Sequence, residues 1–136
     1  MVSTISSTEE AERSLLGAIL LEPATLSQAE HIEPSDFGSF QHRVLFEAVL
    51  ELAATGKTFD SLIALDAVLK GPNARDFADA DQIASLIQSC IEAVPHAKHA
   101  DYYAEQVSEA SRQRQIIQIG NELSNGVREG VDIESL

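Results

Sequence analysis

The sequence predicts an all-α fold, and three observations carry that prediction. Apolar residues recur at three- and four-residue spacing along most of the chain, and polar capping residues stand ahead of those runs. No segment alternates apolar and polar residues as a half-buried strand requires, and neither an internal repeat nor a low-complexity tract interrupts the pattern.

Ser7-Thr8-Glu9-Glu10 is a capping-box sequence: the Ser7 hydroxyl can accept from the Glu10 amide while the Glu10 carboxylate reaches back to the Ser7 amide. It predicts a helix from about Thr8, with Ala11, Leu15, Ala18 and Ile19 on one stripe that Leu16 and Leu20 widen. Gly17 sits within that stripe; an interior glycine costs roughly 1 kcal/mol relative to alanine, so a close approach of another helix is expected there. Pro23 suits the first turn of a short helix reaching about Glu30, and Pro34-Ser35 starts a turn that holds Phe37. Ser39 caps a helix with Leu45, Ala48, Val49, Leu52 and Ala53 on its apolar face and Phe46 and Leu50 on its flanks, and Gly56 ends it. Asp60 caps the next helix, with Leu62, Leu65 and Leu69 inward and Gly71-Pro72 as its stop. "NARDFADAD" follows as a polar surface loop.

Asp79 with Gln82 forms another capping signal, ahead of a well-defined stripe of Ile83, Leu86, Ile87, Cys90, Ile91 and Val94 that Pro95 breaks. From about His99 to Val127 a long helix is expected, in which Tyr103, Val107 and Ala110 give way to Ile116, Ile117, Ile119, Leu123 and Val127. That second half carries more apolar surface than one partner helix needs. Gly130 reads as a stop and Asp132 as the cap of a further helix of which Ile133 to Leu136 remain, so the chain is expected to be cut from something longer.

Composition narrows the function. A length of 136 residues fits one domain with a real core, and 44% hydrophobic with 23% charged residues is ordinary for a globule. The formal charge of −13, from 22 acidic and 9 basic residues, argues against a surface that itself grips a phosphate backbone, which needs clustered Lys and Arg. A single cysteine, Cys90, forbids an internal disulfide and, on an apolar helical stripe, reads as a buried structural thiol in a reducing, cytoplasmic setting. The N-terminus lacks a basic start before an apolar run, and "LLGAILL" is far shorter than a membrane span.

No catalytic constellation emerges. Gly56-Lys57-Thr58 matches the end of the phosphate-loop pattern, but the position of its first glycine is Glu51, and the preceding residues are helical where that motif needs a strand. The tripeptide is read as a helix-ending turn. His96 and His99 lack a third ligand at a recognisable spacing, and Asp76, Asp79 and Asp81 lack the glycine and glutamate of a calcium loop, so solvated side chains and caps are the preferred readings. Arg112 and Arg114, the one close basic pair, are expected to make salt bridges or meet a protein partner rather than nucleic acid.

Three ordered blocks resemble a known family. "EAERSLLGAILLEP" from Glu10, "DFGSFQHRVLFEAVLELAATGKTFD" from Asp36 and "IEAVPHAKHADYYAEQV" from Ile91 are similar to the N-terminal domain of replicative DNA helicases of the DnaB family, and the similarity runs from about Glu10 to the last residue. In that light "GKTFD" matches the family's Gly-Lys-x-x-Asp turn between two helices. The corner "GPNARDFADAD" departs from the glycine-rich turn of many relatives, so a different shape is expected there.

The resemblance implies a compact helical bundle followed by the first arm of a helical hairpin: residues 1–8 as a flexible tail and 9–136 as the collar domain, truncated within the hairpin. It implies a non-catalytic module serving ring (hexamer) assembly and primase docking in DNA replication. The ATP- and magnesium-dependent motor would lie in a domain this chain does not contain, so no cofactor is expected here and DNA would be met only through the parent protein. Partners would be a second copy of the domain, primase and a helicase loader, with no membrane involved. The long helix from about Tyr102 to Val127 would be the hairpin's first arm. Tyr102, Tyr103, Arg112, Arg114, Ile116, Ile119 and Leu123 are the candidate interface residues. An alternative is a free-standing paralogue that regulates a helicase by mimicking its collar; an enzyme in its own right would rest only on the half phosphate loop and the histidine pair.

Overall fold

A computed structural model describes residues 4–93 and 99–128, and among them it holds helices and no strand. Five α-helices form the frame: α1 (Thr4–Leu21), α2 (Phe40–Ala54), α3 (Ser61–Lys70), α4 (Ala80–Ala93) and α5 (Ala100–Arg128). Short 3-10 helices at Pro23–Ala29, Pro34–Asp36 and Ala74–Asp76 shape the corners.

The centre is α1. Every residue from Ser14 to Leu20, Gly17 included, is buried, as expected of a helix surrounded by others. It packs most extensively on α4 and α5 and also meets α2 and α3. The Ser14 hydroxyl donates to the Ala93 carbonyl at 3.3 Å, tying α1 to the end of α4. Phe37 and Phe46 are fully buried with ring centroids 4.9 Å apart, a tilted aromatic pair at the base of the core.

Local signals end the helices where the sequence places them. The Ser39 hydroxyl accepts from the His42 amide at 3.5 Å, Asp60 from the Ile63 amide at 2.9 Å and Asp79 from the Gln82 amide at 2.9 Å. The Gln82 side chain reaches back one residue further than a capping box does, to the Ala78 amide at 2.6 Å. Gly56 follows α2 with φ of 73°, the left-handed conformation that glycine adopts without a Cβ penalty.

Several expectations need correction. α1 begins at Thr4 rather than Thr8, extending into what the sequence assigned to a tail; a run of Ser and Thr offers caps at successive positions, so the box at Ser7 does not dictate the start. On α3 the inward residues are Ala64 and Val68 with Leu65 half-buried, while Leu62 and Leu69 face outward. On α2 Phe46 is fully buried rather than flanking, and Ala53 is exposed. The loop "NARDFADAD" is not wholly surface, because Phe77 at 5% exposure plugs the core behind the Ala74–Asp76 turn. Val94 of the apolar stripe, the stops Pro95 and Gly130, His96, read as a solvated side chain or cap, and the cap Asp132 lie outside the described residues.

Candidate protein-docking face

α5 changes character halfway. Its first half is seated by Ala100, Ala104 and Val107, all fully buried, with Tyr103 packed beside them. Beyond Arg114 nearly every residue is exposed, and the large apolar ones stand out: Ile116 (69%), Ile117 (62%), Ile119 (56%), Leu123 (47%) and Val127 (54%). Ile116, Ile119, Leu123 and Val127 follow helical spacing and so form one stripe. At 3.6 residues per turn that stripe is rotated by roughly 130° from the face carrying Ala104, Val107 and Ser111. This domain's own core therefore cannot cover it.

Of the seven candidate interface residues, Ile116, Ile119 and Leu123 share this stripe, and Arg112 stands at its head. Arg112 is exposed and pairs with Glu109 and Glu105 on the same outer face, and its hydrogen bond holds the Glu109 carboxyl below the usual range. Tyr102 is 61% exposed near the start of α5, edge-on to Tyr103, which turns inward. Arg114 also turns inward. Its guanidinium donates to the Asp36 carbonyl, a bond to backbone rather than the salt bridge or partner contact expected of it.

That bond belongs to a polar cluster that sequence reasoning missed. Glu12 of α1 is fully buried and accepts from the Gly38 amide at 2.8 Å, the Ser39 amide at 3.3 Å and His42 Nδ1 at 2.7 Å. Burial alone raises a carboxyl pKa, but here the bonds from His42 and Gly38 outweigh it and hold Glu12 below its ordinary value. An ionised carboxylate only accepts, so His42 presents its proton at Nδ1. On the far side of the same turn, the Ser111 hydroxyl donates to Asp36 Oδ1 at 2.7 Å and Arg43 Nε donates to the Phe37 carbonyl at 2.7 Å. Glu12 was detectable as a charge four residues before Leu16 and seven before Ile19, on the buried side of α1.

A cleft of about 400 Å³ opens beside this cluster, walled by Thr8, Glu9 and Glu12 on α1, Gly38 at the turn, and Arg114 and Ile117 on α5. Lys57 lies exposed in the turn after α2, next to Gly56, and no strand precedes it. Among the described residues no group of three His, Cys, Asp or Glu side chains is placed to hold a metal ion, and no helix is long and apolar enough to cross a membrane. Cys90 is buried, and burial pushes its thiol up to about 12.

Comparison with known proteins gives the same picture. The family model for the DnaB-like helicase N terminal domain matches residues 5–109. The chain is 35% identical over 111 residues to the replicative DNA helicase DnaB of Treponema pallidum, covering 81% of this chain and 24% of that protein. It is 30% identical to the DnaB helicase of Geobacillus stearothermophilus, over 85% of this chain and 25% of the relative. The chain thus spans about a quarter of the length of these curated relatives. Among solved structures, the N-terminal domain of DnaB from Mycobacterium tuberculosis superposes with a TM-score of 0.77 at 27% identity, covering 89% of this chain and 84% of that one. The corresponding domain from Helicobacter pylori, described with its interactions with primase, superposes at 0.75 with 22% identity over 90% and 94% of the two chains, a likeness of fold. The matched stretch is the N-terminal domain of these helicases, and Gly56-Lys57-Thr58 within it is a connection between helices. With the family model covering well over half of its residues, the chain belongs to the family of DnaB-like helicase N-terminal domains.

Proposed function

We propose that this domain is a docking and assembly module of a replicative helicase: it helps build the ring and offers primase a surface. The observation that carries this reading is the exposed stripe of Ile116, Ile119, Leu123 and Val127 on a helix half that leaves the bundle. A contiguous apolar face of that kind is exposed at a cost in solubility and is explained by a partner. Chemistry is assigned elsewhere in the parent protein, where a motor domain would hydrolyse ATP with magnesium and move on single-stranded DNA. The charge of −13 supports that division, since this surface is poorly suited to hold a phosphate backbone. A helicase loader is a further partner of the parent, and the setting is cytoplasmic.

The test is a calorimetric titration of this domain with the C-terminal helical domain of the cognate primase. Saturable binding is expected. Its absence with a properly folded domain overturns primase docking by these residues.

A further inference from the structure

We infer that the turn 36–39 is a joint that sets the direction of the apolar arm of α5, gripped from one side by Glu12 and from the other by Ser111 and Arg114. The apolar seating of α5 stops at Val107. What holds the helix beyond that point is polar: the Ser111 hydroxyl on Asp36 Oδ1 and the Arg114 guanidinium on the Asp36 carbonyl. Ser111 is the last buried residue of α5 and Arg114 is half-buried, and beyond them nearly every described residue of the arm is exposed. The grip therefore sits where α5 passes from its buried half to its exposed half.

The turn transmits because it is itself fixed from behind. Gly38 and Ser39 donate their amides to Glu12, while the Phe37 carbonyl accepts from Arg43 and the Phe37 ring is buried in the core. No slack separates the two grips: a Cβ on Gly38 would stand 3.3 Å from both Arg114 Nη1 and Glu12 Oε2. The arm has somewhere to go, since the cleft of about 400 Å³ lies between α1 and α5 with Ile117 on its wall. From residue 115 to 128 the arm is about 21 Å long at 1.5 Å per residue, so a 20° tilt at the joint carries its tip about 7 Å. Glu12, Ser111 and Arg114 are thus positioning residues for a face they do not belong to.

The test measures the arm directly. Spin labels placed at Glu47→Cys on α2 and Asn121→Cys on α5, both exposed, report the distance by pulsed electron resonance, with labelled protein diluted in unlabelled so that only intramolecular pairs count. Cys90, buried and with its thiol pushed up to about 12, stays unlabelled. In the paired Ser111→Ala, Arg114→Gln background the distance distribution should shift or broaden by several ångströms. Glu12→Gln, which keeps the shape but not the charge, should do the same from the opposite grip. Two controls separate positioning from stability. Arg112→Ala removes only pairs within α5, and Ile87→Val lowers the melting temperature through the core; both should leave the distance unchanged. An unmoved distribution in the folded Ser111→Ala, Arg114→Gln protein overturns the joint, as does equal broadening in Ile87→Val. The consequence for docking rests on the function proposed above, whereas the distance does not, so an unmoved arm and a failed primase titration are separable results.

Discussion

Removing the Glu12 carboxylate strands three donors at once: two backbone amides at the edge of the cleft and a buried imidazole. Breaking a buried pair by deleting one partner costs about 3 to 5 kcal/mol, so Glu12→Ala should unfold a marginal domain, as chemical denaturation would show. Acid should act through the same group. Because Glu12 ionises below its ordinary value of 4.5 in the fold, its stabilising contribution is complete at neutral pH and is lost as pH falls below that value through the folded one. Glu12→Gln should therefore flatten the acid limb of the stability profile, and a limb of unchanged steepness would place the acid-sensitive group elsewhere. The sequence carried half of this site. Glu12 lies visibly on an apolar stripe, but its partners are 26 to 30 residues away in sequence, and no spacing rule connects a helix interior to a distant turn.

Among elements, caps and stops were the most legible, because each depends on a few adjacent atoms. Ser39, Asp60, Asp79 and Gly56 all act where local chemistry puts them. The turn after α2 turns this into a prediction that also separates the two readings of Gly56-Lys57. Gly56 has φ of 73°, where a Cβ costs about 1 to 2 kcal/mol, while Lys57 is exposed and its truncation should stay within about 0.5 kcal/mol. Gly56→Ala should thus lower the denaturation midpoint and Lys57→Ala should not. The opposite ranking would show that the turn serves the lysine rather than the helix end. Facing was less legible than capping. "SLIALDAVLK" is apolar on both sides of α3, so periodicity could not say that Ala64 and Val68 turn inward while Leu62 and Leu69 turn out; small residues win the inner face because α2 and α4 both pack on that short helix.

At the scale of the whole molecule the second half of α5 presents an exposed apolar stripe, and the proposed assembly role makes another copy of the same face the first occupant to test. Most homo-oligomers close through a two-fold axis, across which a residue near the axis approaches its own counterpart. Ile119 stands mid-stripe at 56% exposure, so replacing it with glutamate disturbs no core contact yet brings like charges together across such an axis, on a chain already at −13. Ile119→Glu should lower the apparent mass in sedimentation equilibrium while leaving the melting temperature of the dilute protein nearly unchanged. The effect should weaken at high salt if repulsion is its cause and persist if lost apolar contact is, because the Debye length shrinks to about 3 Å in 1 M salt. Self-association that survives Ile119→Glu at both salt concentrations would move the contact off this stripe, and the outward leucines of α3, Leu62 and Leu69, would then be the next apolar surface to alter.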